Sequence, residues 1–254
     1  MSARGRLSIF ALGAVILAVF LLRGVGGLPA FGHTAGLYGT MLNRVAVPQR
    51  HVTDVVTAVN FDYRGIDTVG EEFILFAAVA GVALLLRAER DEVEEEAPRR
   101  VVDLDQEARA SDAVRALCLV LVAPTALFGL YVVTHGQLTP GGGFQGGVVL
   151  ATAPLLIYLA GEYGTLRALS PTAGVDLLSA LGAGGFVIVG VIGLVAGGIY
   201  LQNVVPLGPV GTVYSAGTIP LINLAVGLEV GSGFLLMLSE FLAQTLRIRA
   251  RGKK

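Results

Sequence analysis

Six apolar stretches, at residues 7–22, 69–86, 113–133, 146–160, 176–200 and 217–242, dominate this chain of 254 residues. Most approach the ~20 residues that carry a helix across a ~30 Å hydrocarbon core. The first and fourth are short, so tilt or neighbouring helices must help them span. Hydrophobic residues make up 54% of the chain and charged residues 15%, with a mean hydropathy of +0.74, which excludes an ordinary soluble domain. Backbone groups in lipid must be satisfied within the segment that carries them, and runs of this length meet that demand as helices. The expected fold is therefore an all-α integral membrane protein of about six transmembrane helices in a 2 + 4 arrangement. A glycine-rich loop joins the third and fourth.

The first stretch follows Arg4 and Arg6 and has the basic start and apolar centre of a secretory signal. Arg23-Gly24-Val25-Gly26-Gly27-Leu28-Pro29 then offers no clear small-residue cleavage site, and the reading adopted is an uncleaved span. With six spans, 14 of the 18 Lys and Arg residues fall on one side, including Arg4, Arg6, Arg167 and the tail from Arg247 to Lys254. The positive-inside rule then puts both termini in the cytoplasm of a multi-pass plasma-membrane protein. A net charge of −1 gives no reason to expect a nucleic-acid partner. Cys118 is the only cysteine, so the chain can form no internal disulfide or thiolate metal site, and Cys118 reads as a small buried apolar residue.

Between Arg87 and Asp112 the composition turns sharply acidic, from Glu89 through Glu107, with Pro98 and several arginines interspersed. Such a stretch does not lie in lipid. It divides the chain into a two-span module at 1–88, a charged cytoplasmic linker at 89–109 and a four-span module at 110–254. The linker reads as a solvated joint in preference to a cation-collecting antenna. Residues 24–68 are too polar for another span. Within them Val52, Val55, Val56 and Val59 recur at helical spacing, which predicts a short amphipathic helix on the extracytoplasmic surface or against a partner protein.

The most unusual stretch is His135-Gly136-Gln137-Leu138-Thr139 followed by Pro140-Gly141-Gly142-Gly143-Phe144-Gln145-Gly146-Gly147. That glycine density predicts a turned loop through which no ordinary helix runs, with close backbone approach between helices. It lacks the Gly-Lys-Ser/Thr ending and preceding strand of a phosphate-binding loop.

The run from His135 to Gly147, continued through residues 148–159 and by Pro220-Leu221-Ile222-Asn223-Leu224-Ala225-Val226-Gly227-Leu228-Glu229-Val230, resembles the B-type component of the Mrp-type Na+/H+ antiporters, the MnhB-like family. The likeness covers residues from about 110 to 245. In the first module, Val59-Asn60-Phe61-Asp62-Tyr63-Arg64-Gly65-Ile66-Asp67-Thr68-Val69-Gly70-Glu71 resembles the segment before the last span of the large A-type component of those antiporters, which recurs in a small subunit of membrane-bound hydrogenases. The resemblance implies a fused chain that works with other antiporter subunits in a hetero-oligomeric membrane complex exchanging Na+ for H+.

Five residues are candidates for an ion or proton pathway: Glu229, Glu71, Asp67, Asp62 and His135. Glu229 lies near the middle of the sixth stretch, where a charge costs at least ~2.5 kcal/mol unless paired, hydrated or protonated. The competing reading is a neutral acid that hydrogen-bonds a neighbouring helix. Asp67 and Glu71 are four apart and share a helical face, with Asp62 and Arg64 close by. They can gather cations or form an interfacial salt-bridge network. His135 is either a proton group or, preferably, an interfacial donor. Gln145 can line a cavity or cap a turn. Asp176 and Glu240 lie near span ends and read as solvated, and Pro124, Pro154 and Pro220 read as kinks.

No metalloprotease, serine-hydrolase or His/Cys ligand pattern is present, so the expectation is a non-enzyme without cofactor or metal. Three roles remain open: an antiporter subunit contributing to a cation path, a passive scaffold, and a subunit of a hydrogenase-type redox complex.

Overall fold

The computed structural model describes residues 3–28, 32, 36–94, 110–161 and 163–252, so most of the charged joint lies outside the described residues. Its helices are α1 (Ala3–Gly26), α2 (Leu37–Arg50), α3 (Val55–Ala58), α4 (Gly65–Glu94), α5 (Asp112–Thr134), α6 (Gly143–Leu159), α7 (Tyr163–Leu169), α8 (Thr172–Gly197) and α9 (Ile219–Gly252). Five of them, α1, α4, α5, α8 and α9, are long and apolar enough to cross a membrane, and α6 is a shorter apolar helix. This agrees with about six spans. Residues 1–43 and 44–254 form two compact units. In the first, the span of α1 buries none of its residues against protein.

In the second unit α9 is the central helix and packs on α4, α6 and α8, while α5 packs on α6. Ala46, Val52, Ala58, Phe61, Phe186, Ile219, Ile222, Val226 and Val230 form the main core. Val79, Ala83, Val175 and Leu236 form a smaller one. Helices α4 and α9 run parallel, since Val79 approaches Gly233 and the cluster then continues to Ala83 and Leu236. Helix α8 runs antiparallel to α9, matching Gly182 to Glu229 and Val175 to Leu236.

Local chemistry sets the ends of these helices. Ser111 caps α5 by accepting from the Val114 amide, and Asp54 caps α3 by accepting from Val56. Helix α8 stops at Gly198, whose φ of +85° is the left-handed conformation that glycine adopts without strain.

Two sequence expectations change. The glycine-rich stretch is only half a loop: residues 135–142 turn, and Gly143 already belongs to α6. Gly141 and Gly142 take left-handed φ values of 143° and 128° and aim the chain into the helix. Glycine is helix-compatible from Gly143 onward because neighbouring helices occupy the space that side chains would fill. A Cβ at Gly146 would lie 2.5 Å from Val133 of α5, and one at Gly147 would lie 2.8 Å from Val230 of α9. Asn223, fully buried on α9, accepts from the Gly143 amide at 2.8 Å and pins the start of α6.

The second change concerns residues 24–68. They hold α2 as well as α3, and α3 continues into a single π-helical turn, Val59–Tyr63. The valine stripe does not stay on one surface. Val52 is fully buried in the main core and Val56 is 64% exposed. This segment therefore caps the protein's own core, held by Thr53 and Thr57, whose hydroxyls donate to the Leu138 and Gly136 carbonyls.

This packing is open to two tests. Cysteines placed singly at Glu94, ending α4, and Tyr214, exposed before α9, in a Cys118→Ala background should react with an impermeant thiol reagent from opposite sides of the membrane. Gly146→Ala should lower stability by ~1–3 kcal/mol through overpacking. Gly184→Ala on α8, where a Cβ meets nothing within 4 Å, should be neutral or slightly stabilising, as read by thermal unfolding in detergent.

Candidate functional site

The second unit buries two acids against each other inside its membrane-spanning bundle. Glu229 of α9 is 1% exposed and Glu72 of α4 is 3% exposed, and their carboxyl groups face each other across the α4–α9 contact. Gly182 of α8 makes this possible. A Cβ there would stand 2.4 Å from the Glu229 amide nitrogen, so the missing side chain lets α8 seat directly on the α9 backbone at that residue. On α4 the inward stripe runs Thr68, Glu72, Leu75, Val79 and Ala83, the spacing of one helical face. The Thr68 hydroxyl donates to the Asn60 carbonyl and ties the start of this stripe to the π turn.

Among the described residues, both oxygens of Glu229, and Oε2 of Glu72, lack a hydrogen-bond donor. Glu229 lies ten residues beyond Ile219, about 15 Å along its helix, which is near the middle of a ~30 Å core. Two facing carboxylates at that depth repel each other and are poorly solvated. One proton between them gives an O–H to one oxygen and an acceptor to the other, and a monovalent cation would balance the same charge. The arrangement is thus a buried carboxyl pair whose charge one proton or one monovalent cation would balance.

The sequence candidates are distributed differently from expectation. Glu229 is at the site. Glu71 is one residue from it in the chain, close enough to repel Glu72, but its own side chain is exposed. Asp62 pairs with Arg50 at 2.6 Å and lies near Asn203, and Asp67 pairs with Arg64. Those two acids match the salt-bridge reading. His135 stacks on Tyr131 with ring centres 4.1 Å apart, and its Nδ1 lies 3.0 Å from the Tyr131 carbonyl, closing the end of α5. Phe144 and Gln145 are exposed in the first turn of α6. Glu240, expected to be solvated, is buried at 5% exposure, because the antiparallel α8 runs alongside α9 as far as its own first turn.

Sequence reading missed Glu72. The available signal was the helical stripe itself: Glu72 shares a face with Leu75 and Val79, whereas the i, i+4 pairing of Asp67 and Glu71 selected the neighbouring face. At the membrane edge, Arg50, Asp62, Tyr63, Gln202 and Asn203 help line a cavity of about 550 Å³. Burial raises the Tyr63 phenol above its usual range, Arg50 acting in the opposite direction and Asp62 in the same one. Among the described residues no group of three or more His, Cys, Asp or Glu is placed to hold a metal ion.

Apolar helices of spanning length packed around buried acids define a polytopic helical membrane protein. Residues 113–236 match the family model described as a domain related to the MnhB subunit of Na+/H+ antiporter. An uncharacterized protein of Methanocaldococcus jannaschii is 31% identical over 76% of this chain and 78% of its own length. A probable K(+)/H(+) antiporter A/B subunit of Rhizobium meliloti is 30% identical over 43% of this chain, which corresponds to 12% of that longer protein. Among solved structures, a chain of the membrane-bound sulfane sulfur reductase, an archaeal respiratory membrane complex, superposes with a TM-score of 0.73 at 31% identity, covering 93% of this chain and 98% of that one. A chain of the Mrp complex from Dietzia sp. DQ12-45-1b superposes with a TM-score of 0.73 at 23% identity, covering 94% of this chain and 26% of that one. The chain belongs to the MnhB-like family.

The facing acids generate a stability prediction. Glu72→Gln provides an amide donor to an ionised Glu229 and should keep the melting temperature in detergent within a few degrees of wild type. Glu72→Leu leaves Glu229 buried without a polar neighbour and should cost ~1–3 kcal/mol.

Proposed function

We propose that this chain is a membrane subunit of a monovalent cation/proton antiporter and that Glu72 and Glu229 together form a station on its ion path. The observation that carries this reading is the pair itself: two acids buried at 3% and 1% exposure, facing each other, with three of their oxygens lacking a donor among the described residues. Structural glue needs only one acid and one donor, whereas a site that exchanges a proton for a cation needs negative charge that either ion can neutralise. The match to a family of antiporter components and the likeness to the Rhizobium meliloti antiporter protein support the transport reading. The module before the charged joint and the one after it correspond, on this reading, to the end of the large A-type component and to the B-type component, fused in one chain. On this reading both termini lie in the cytoplasm, which the distribution of basic residues supports.

The same station serves a second reading. The likeness to a chain of an archaeal respiratory complex covers nearly the whole of both proteins, which fits a subunit whose ion movement is driven by electron transfer in neighbouring subunits. Isolating the complex in mild detergent and identifying its other chains separates the two. Large antiporter-like chains alone support the first reading, and iron–sulfur or flavin subunits support the second.

The transport prediction holds for either driver. In vesicles containing equal amounts of assembled complex, Glu229→Gln should lower cation-coupled proton movement at least tenfold. Glu72→Gln should lower it comparably, while Glu229→Asp retains a measurable fraction. Near-normal exchange in both glutamine variants would remove the pathway role and leave the pair as packing.

A further inference from the structure

The outer surface of α4 carries a group that lipid accommodates poorly. While Thr68, Glu72, Leu75, Val79 and Ala83 turn inward, Gly70, Glu71, Ile74, Ala77, Ala78 and Leu85 are exposed. Ile74 and Leu85, each 73% exposed, are ordinary on a lipid-facing helix. Glu71 is not. It lies six residues past Gly65, about 9 Å along the helix and next to the inward-facing Glu72, and a carboxylate has no long stem with which to reach the aqueous boundary. Arg50 pairs with Asp62 and Arg64 pairs with Asp67, so the nearby arginines are already engaged with other acids. A carboxylate in this position is costly unless it is paired, hydrated or protonated, and a cation or hydrogen-bond donor from another subunit would supply the pairing.

The shape around Glu71 suits a helix. A Cβ added at Gly70 or at Gly81 would meet nothing within 4 Å, and Ala77 and Ala78 continue the low relief between them. The surface thus combines low relief at Gly70, Ala77, Ala78 and Gly81 with the projecting Ile74, a profile against which another helix can lay its side chains close to the α4 backbone. Lipid tails give a carboxyl no partner.

We propose that the outward face of α4, centred on Glu71, is the docking surface for a transmembrane helix of another subunit of the complex, one that presents a Lys, Arg, His or hydroxyl side chain to Glu71. The surface is separate from the Glu72–Glu229 station and rests on exposure and charge, so it stands or falls independently of the transport reading.

The test uses the full-length chain in its assembled complex. A photo-crosslinking residue at Ala78 should join this chain to a polytopic subunit of the purified complex, at a span with a basic or hydroxyl-bearing residue within two turns of the adduct. Glu71→Leu and Gly81→Leu should each lower co-purification of that protein at least tenfold, while the melting temperature of the isolated chain in detergent stays at the wild-type value. Glu71→Gln, which can still hydrogen-bond, should retain an intermediate fraction. Adducts confined to lipid or to this chain itself would overturn the assignment. So would wild-type co-purification in both leucine variants. Loss of transport in Glu229→Gln bears only on the other site.

Discussion

The close seating of α6 and α8 on the backbone of α9 is the constraint from which the rest of this structure follows. Inside a bilayer helices gain little by hiding apolar side chains from surroundings that are equally apolar, so association depends on contact density and on hydrogen bonds. Gly143 and Gly147 remove side chains from the α6 face that meets α9, and Gly146 does the same towards α5. Gly182 does it for α8. Asn223 adds a directional bond from α9 to the first amide of α6. With α9 held on two sides, one side remains for α4, and Glu72 and Glu229 meet there.

That dependence explains why the glycine-rich sequence lies at the start of a helix and follows α9 from Asn223 to Val230, the residue after Glu229. Its role in the fold is to set the distance between backbones. Gly142 and Gly143 gather at Asn223, and the acids are held in place by what those residues permit. A bulky side chain in the motif would move α9 relative to α6 without touching a carboxyl.

Much of this was legible in the sequence, because spans declare themselves by length and hydropathy. The stretches 69–86, 113–133, 176–200 and 217–242 all fall within helices but for a few residues at their ends, as does nearly all of 146–160. Helix α2 was invisible to that signal, since Leu37–Arg50 interrupts its apolar residues with Tyr38, Thr40, Asn43, Arg44, Pro48 and Gln49 and forms no continuous apolar run of spanning length. Glu229 stood out as a charge amid apolar neighbours, while Glu72 sat beside Glu71 and Asp67 in a stretch that already looked interfacial. Only the rotation of α4 about its axis distinguishes an inward Glu72 from an outward Glu71, and that rotation is fixed by contacts with α9 that no local pattern encodes. Glu240 was misjudged for a related reason: nearness to a span end is a statement about depth, and its burial is a matter of sideways packing.

The two facing acids come from opposite sides of the charged joint, Glu72 before it and Glu229 after it. Neither half of the chain therefore holds the finished pair, and each half alone would carry a solitary acid with nothing opposite it. Completion of the pair reports that the two halves have come together in register. A chain caught midway through assembly is in this respect a lock with one of its two tumblers absent.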